Sequence, residues 1–188
     1  MTCLQKIRDA KHQRNKYATS EDFQRIFTED VDHLYQLAFL LTRDHKKAEQ
    51  TFVAGLEDSV KDNRVLAEWA RSWAKRTIIQ NAVRELKPRP PGLRRSFSET
   101  PLSYFGETLD GKDAYSKLDA VLELEDFDRF VFVMFIVEHY SDHDCALLLN
   151  SSRTEIQKAR SRALTQLANP RPLLTTALNS APLLELAR

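Results

Sequence analysis

Apolar side chains recur at helical spacing through the first half of the chain. One helical face collects residues that follow each other at steps of three or four: Phe23, Phe27, Val31, Leu34, Ala38 and Leu41. Ser20 predicts the start of this helix, because its hydroxyl can accept from unpaired amides and the carboxylates behind it favour the N-terminal dipole. After a polar break, the same periodicity predicts a second helix from Lys46 to about Val60 and a third from Leu66 to Leu86.

The third predicted helix has an apolar face and a basic face. Pro88 ends it, and its inward positions are Trp69, Trp73, one or both of Ile78 and Ile79, and Val83. Two tryptophans at i and i+4 have two interpretations, since they can belong to the core or stack on unpaired nucleic-acid bases. The spacing favours the core.

Proline and glycine divide the chain. Four of the seven prolines and three of the four glycines lie between residues 88 and 111, where no helical period of apolar residues survives. Such a stretch predicts a linker between two small domains, each with its own core. The predicted segments are a basic extension (1–19), a helical domain (20–86), the linker (87–113), a second helical domain (114–168) and a C-terminal tail (169–188).

Helical patterns also fill the second domain. By composition, Phe130 to Val137 fits a buried strand as well as a helix, since β-branched and aromatic residues dominate it. The next stretch of chain favours the helix, because two more helical patterns, each with a serine cap (Ser141 and Ser152), flank a short turn at Asn150 and Ser151. The last pattern places these residues inward: Ile156, Ala159, Ala163, Leu164 and Leu167. The sequence therefore predicts an all-α protein with a C-terminal helix-turn-helix.

The composition is that of an ordinary folded protein, with 42% hydrophobic and 29% charged residues. The formal net charge is only +1, so the molecule lacks the bias of a general nucleic-acid coat protein, and its basic residues gather locally instead. The N-terminus has no apolar signal segment, and the longest apolar run is far shorter than the roughly 20 residues that cross a membrane. We therefore expect a cytoplasmic protein without a membrane span, with Cys3 and Cys145 as free thiols.

The last predicted helix carries a polar face suited to DNA. Arginine can bind guanine bidentately, glutamine can read adenine, and lysine, serine and threonine supply phosphate contacts. The N-terminal part of a recognition helix enters the major groove, so the first positions are the better candidates for base contacts. The candidate DNA-binding residues here are Arg153, Thr154, Gln157, Lys158, Arg160, Ser161 and Arg162. The alternative is a solvated polar face with no partner.

Two ordered sets of motifs surround the linker. The C-terminal set comprises Tyr140-Ser141, Asp144-Cys145-Ala146, Leu149, Ser152, Ile156 and Arg162-Ala163. The N-terminal set comprises Leu34-Tyr35, Leu37-Ala38, Leu41-Thr42, Asp44 and Ala48-Glu49, followed by Glu68-Trp69, Ala74 and Lys75-Arg76. In this order, the two sets resemble region 4 and region 2 of the extracytoplasmic-function (ECF) sigma factors of bacterial RNA polymerase.

The resemblance implies a function in transcription initiation. It implies that the chain binds promoter DNA, engages the RNA polymerase core and has an anti-sigma factor as a further partner. It also implies DNA contacts on the third helix, at Arg71, Lys75, Arg76 and Arg84, and polymerase contacts at Ala48, Glu49, Gln50 and Val53. Asn150 stands where the family commonly has glycine, a tolerable change because asparagine also visits left-handed conformations.

The chain departs from the family pattern after Ala48-Glu49. The family usually has acidic and glutamine side chains there, which grip the polymerase, whereas this chain has Gln50, Val53 and Ala54. Gly55 comes next, and it costs a helix interior about 1 kcal/mol relative to alanine. These departures leave a second hypothesis open, a degenerate sigma-like module that sequesters a protein partner without reading DNA.

Catalysis and metal binding find little support in the sequence. His139 and His143 are four residues apart but straddle a predicted helix boundary. Acidic residues cluster between Glu123 and Asp128 without a nucleophile or a phosphate-binding loop. We therefore expect no metal site, no cofactor and no enzyme activity.

Overall fold

The structure is a computed structural model that describes residues 16–61, 64–91 and 118–168. Within these ranges every named element is helical, and β-type pairing is limited to one isolated bridge between Tyr17 and Leu66. The all-α prediction is confirmed. The elements are α1 (Ser20–Glu29), α2 (Val31–Thr42), α3 (His45–Lys61), a 3₁₀ turn (Ala67–Trp69), α4 (Ala70–Leu86), α5 (Asp126–Phe132), a π-helical turn (Val133–Val137), α6 (Asp142–Leu148) and α7 (Arg153–Ala168).

The single first helix predicted from the sequence is two helices that meet at Asp30. Thr19 rather than Ser20 caps α1: its side chain accepts from the Asp22 amide, and the Asp22 carboxylate accepts from the Thr19 amide in return. The break rotates Val31 outward, so its side chain is 44% exposed and its predicted core position is wrong. The other predicted core residues of this segment, Phe23, Phe27, Leu34, Ala38 and Leu41, are buried.

Helices α3 and α4 cross closely at Gly55. A Cβ atom at that position would lie 2.8 Å from Cγ1 of Ile78 and 3.4 Å from its Cα. One turn further on, the buried hydroxyls of Ser59 and Thr77 lie 2.9 Å apart and share a hydrogen bond. The glycine therefore has a packing role that offsets its low helix propensity.

The two tryptophans of the third predicted helix differ in burial. Ile78 and Ile79 are both fully buried, as expected, and Trp73 is partly buried against the core. Trp69 is 61% exposed, so its predicted core position is wrong. The reason is local, because Trp69 closes the 3₁₀ turn before α4 and does not share the α-helical register of Trp73.

The apolar segment Phe130 to Val137 is helical, which confirms the helix interpretation over the strand. Helix α5 runs directly into the π-helical turn, where the Glu138 amide donates to the Val133 carbonyl at 3.0 Å. Phe127, Phe130 and Met134 from this part of the chain are buried.

Helices α6 and α7 form the predicted helix-turn-helix. The Ser141 hydroxyl accepts from the Asp144 amide at the start of α6, and the Ser152 hydroxyl accepts from the Glu155 amide at the start of α7. Asn150 lies in the turn with φ 46°, the left-handed region that the sequence anticipated.

The two halves of the chain pack against each other. Helix α2 contacts α5 and the π-helical turn, and α4 contacts α6. One cluster of buried apolar residues extends across both halves. Residues 1–15, 62–63, 92–117 and 169–188 lie outside the described ranges, and with them Cys3, the tail and most of the predicted linker and basic extension.

The described helices include none that is both long and apolar enough to cross a membrane.

Candidate nucleic-acid interface

Helix α7 presents a polar face to solvent. Ile156, Ala159 and Ala163 are fully buried and fix the inward side of the helix, although Leu164, predicted to join them, is 45% exposed. The opposite side brings five of the seven candidate residues together in exposed positions: Arg153, Thr154, Gln157, Lys158 and Ser161. The face that the sequence predicted is therefore present as a continuous surface.

The side chains of this face are loosely held. Arg153 makes no ion pair or hydrogen bond with any described residue, and the Lys158 ammonium lies 3.5 Å from a Glu155 oxygen. The Gln157 amide nitrogen lies 3.4 Å from an Asp142 oxygen, a long contact. These groups can therefore exchange their present neighbours for base edges or phosphates at low cost.

Arg160 and Arg162 are held differently, because they connect α7 to its neighbours. Arg160 donates to Asp142 at 2.8 Å and lies 4.3 Å above the Phe135 ring. Arg162 makes a bidentate contact with Asp128 at 2.9 and 2.6 Å, and this hydrogen bonding raises the pKa of Arg162. Both guanidinium groups have structural partners, and their role in DNA binding stays a prediction.

The basic residues of α4 do not form one free face. Arg71 donates to Glu29 at 2.7 Å and also to Asp30, Lys75 lies 2.8 Å from Glu138, and Arg84 donates to Asp58 at 2.9 Å. Hydrogen bonding to Asp30 raises the pKa of Arg71. Arg76 has no ion pair within the described residues. Three of the four α4 candidates therefore already have carboxylate partners.

A groove of about 830 Å³ lies between the two halves of the molecule. Its walls come from the 3₁₀ turn and α4 on one side and from the segment between the π-helical turn and α6 on the other. Lys75, Arg76 and Trp69 line it, facing Glu138 and Tyr140, and burial raises the pKa of Tyr140 to about 12. The indole N–H of Trp73 is buried there without a hydrogen-bond partner among the described residues.

Sequence reasoning missed Glu138. Its side chain is only 1% exposed, and its two oxygens lie 3.1 Å from His33 Nε2 and 2.8 Å from Lys75 Nζ. The sequence did contain one signal, because Glu138 directly follows an apolar run. A carboxylate that is buried with such a run needs a cationic partner.

The residues that the sequence resemblance implies to contact polymerase lie along α3. Glu49, Gln50 and Val53 are exposed, with Val53 at 53%. Ala48 is fully buried, so its side chain does not lie on the exposed surface that the other three residues share. The buried neighbours of Ala48 come from the core of the helical bundle.

Titratable clusters of other kinds are sparse in the described ranges. No group of three or more histidine, cysteine, aspartate or glutamate residues there could hold a metal ion. Cys145 is a buried free thiol, and burial raises its pKa to about 12, which leaves it protonated and unreactive.

Comparisons with known proteins found few counterparts. No protein-family model matches the chain, and no curated protein matches it either. Among solved structures, it is similar to the sigma factor RpoE from Bartonella quintana, solved in complex with the anti-sigma factor NepR. The two chains share 19% identity with a TM-score of 0.42, over 78% of this chain and 94% of that chain. This similarity is too low to assign the family.

Proposed function

We propose that this chain is a sigma-like transcription regulator that binds promoter DNA through α7. The observation that carries the proposal is the exposed face of α7, which comes after a capped α6 and a left-handed turn in helix-turn-helix order. Arg153, Thr154 and Gln157 lie in the first turns, where a recognition helix meets base edges. Lys158 and Ser161 lie further along, where phosphates are closer.

The proposal gives the N-terminal half a second role. Helix α4 contacts promoter DNA through Arg71, Lys75, Arg76 and Arg84, and the exposed residues of α3 engage the RNA polymerase core. An anti-sigma factor stays a partner predicted by the sequence resemblance alone. The function places the protein in the cytoplasm and assigns it no catalysis.

Selection from a duplex library with a randomised centre tests DNA reading by the full-length protein, with and without polymerase core. We expect one sequence family to be enriched and its affinity to fall steeply with salt concentration. Enrichment of no sequence under either condition would contradict the proposal.

Single substitutions on α7 then separate base contacts from phosphate contacts. Arg153→Ala should cost about 1 to 3 kcal/mol of binding and relax specificity at one position, measured by fluorescence anisotropy. Lys158→Ala should weaken all sequences alike and lower the salt slope by about 1. Lys61→Ala, on the exposed end of α3, is the matched control and should leave DNA affinity unchanged.

A second candidate is the protein-interaction module without DNA reading. It is favoured by the carboxylate partners of Arg71, Lys75 and Arg84 and by the exposed apolar Val53 on α3. Purified polymerase core is the probe. This candidate expects Arg153→Ala combined with Lys158→Ala to leave core binding intact, and Val53→Glu to weaken it.

A further inference from the structure

Both tryptophans of the chain line the groove between the two halves. Trp69 is 61% exposed, and Trp73 is partly buried with an indole N–H that has no hydrogen-bond partner within the described ranges. Indole rings bind planar aromatic partners by stacking or by edge-to-face contact. The groove volume of about 830 Å³ is within the range of small-molecule sites. These features indicate a site for a small molecule that carries an aromatic ring.

The charges along the groove favour an anion. Three cations and two carboxylates line it, so its net charge is +1 with His139 neutral. Lys75 already pairs with Glu138 at 2.8 Å, and this pair leaves no net charge. Arg64 and Arg76 make no ion pair or hydrogen bond with any described residue. Two guanidinium groups, which bind carboxylates well, are therefore open to an anion that enters the groove.

The opposite wall supplies a neutral donor and one more carboxylate. Burial raises the pKa of Tyr140 to about 12, against the opposing charge of Arg76, so the hydroxyl stays protonated at neutral pH. That hydroxyl has no hydrogen-bond partner within the described ranges, and it can donate to an anion. Hydrogen bonding from Ser141 lowers the pKa of Asp144, which therefore carries a negative charge. Its repulsion favours a ligand with one negative charge over a phosphate dianion.

We propose that this groove binds a small aromatic monocarboxylate. The ligand carboxylate accepts from Arg76 and from the Tyr140 hydroxyl, and Arg64 is the second cation of the site. The ligand ring packs against Trp69. The site involves no residue of α7, so this inference goes beyond the proposed function and does not rest on it.

Phenylpropionate, which has one ring and one carboxylate, is the probe for the full-length protein. Intrinsic tryptophan fluorescence measures its binding, because both tryptophans line the groove. We expect a dissociation constant of about 1 mM, which suits a ligand of this size. Three analogues separate the contributions: phenylpropanol lacks the charge, cyclohexylpropionate lacks the aromatic ring, and adenosine monophosphate replaces the carboxylate with a phosphate. Each should bind more weakly than phenylpropionate.

Substitutions in both walls test the site itself. Arg76→Gln should weaken phenylpropionate binding about tenfold, because it removes a charge-assisted hydrogen bond. Tyr140→Phe should weaken it less, since a neutral donor is lost. Trp69→Leu, at an exposed position that folding tolerates, should weaken it and leaves Trp73 as the reporter. Arg89→Gln is the matched control, because Arg89 is an exposed arginine outside the groove, and it should change nothing.

Each contrary result overturns a defined part of the proposal. Equal binding of phenylpropanol would exclude the ionic contact, and equal binding of cyclohexylpropionate would exclude the aromatic one. Tighter binding of adenosine monophosphate would replace the monocarboxylate with a phosphate ligand. If phenylpropionate does not bind, or if Arg76→Gln and Tyr140→Phe bind it as Arg89→Gln does, the groove is not the site. None of these results bears on the selection of duplex DNA by α7, so the two proposals fail separately.

Discussion

Helices α4 and α7 are both basic, and both are predicted from the sequence to bind DNA, yet the fold treats their cations differently. On α7, Arg153 lacks a carboxylate partner within the described residues and Lys158 has a distant one. On α4, Arg71, Lys75 and Arg84 each pair with an acidic residue from another element. Residue type therefore identifies a candidate binding face. Whether its cations are unpaired depends on the acidic groups that the fold places beside them.

The largest expected effect comes from the residue that ties the half containing α7 to the half containing α4. Arg129→Met leaves the carbonyls of Leu41 and Leu124 without their buried donor. We expect a loss of about 3 to 5 kcal/mol in the free energy of unfolding, measured with urea. Arg25→Met, whose side chain is 64% exposed, is the control and should change it little. A loss as small as the control's would show that water replaces Arg129 without difficulty.

A smaller effect is expected where α4 rests on α3. Gly55→Ala adds a methyl group 2.8 Å from Cγ1 of Ile78, and this atom is fixed close to the α4 backbone. Overpacking should exceed the roughly 1 kcal/mol gained in helix propensity, for a net loss of about 1 to 2 kcal/mol in urea unfolding. DNA affinity through α7 should not change. Val53→Ala, on the exposed side of the same helix, is the control, and a stabilised Gly55→Ala would disprove the close crossing.

The smallest effect divides the cations of α7 among themselves. Arg162→Ala leaves Asp128, whose side chain is 7% exposed, without its bidentate partner. Because Arg162 itself is 39% exposed, solvent screens part of the loss, and we expect the free energy of unfolding to fall by about 1 kcal/mol. Lys158→Ala should leave unfolding unchanged and weaken DNA binding. Equal effects of the two changes on stability would remove the distinction between structural and free cations.

Local signals in the sequence predicted much of the fold. The serine caps at Ser141 and Ser152 and the left-handed Asn150 depend on neighbours within a few residues, and each is observed. The helical period of α7 is observed for Ile156, Ala159 and Ala163 but not for Leu164. The break at Asp30 was missed because Phe23 to Leu41 keeps a helical spacing across it. The spacing of apolar residues does not reveal where one helix ends and another begins along a different axis.

Long-range partners could not be predicted. Arg162 matches the pattern of a DNA-contacting residue, and only the fold brings Asp128 to within 2.6 Å of it. Glu138 follows an apolar run and Arg129 follows an acidic stretch, but the roles of both depend on atoms of α2 and α4 that are distant in sequence. The candidate face on α7 could be predicted because it belongs to one helix. The ion pairs of the α4 cations could not be predicted, since they depend on how other elements pack against α4.

The π-helical turn at Val133–Val137 sets the direction in which the rest of the chain leaves α5. A π turn holds one residue more than an α turn, which is how a single-residue insertion is accommodated without unwinding a helix. Removing that residue would restore an α turn and rotate everything behind it by about 100° around the helix axis. The ion pair between Glu138 and Lys75 therefore depends on the helical register that the π turn sets. Deleting one residue of this turn would break the ion pair, although every charged residue of the chain would still be present.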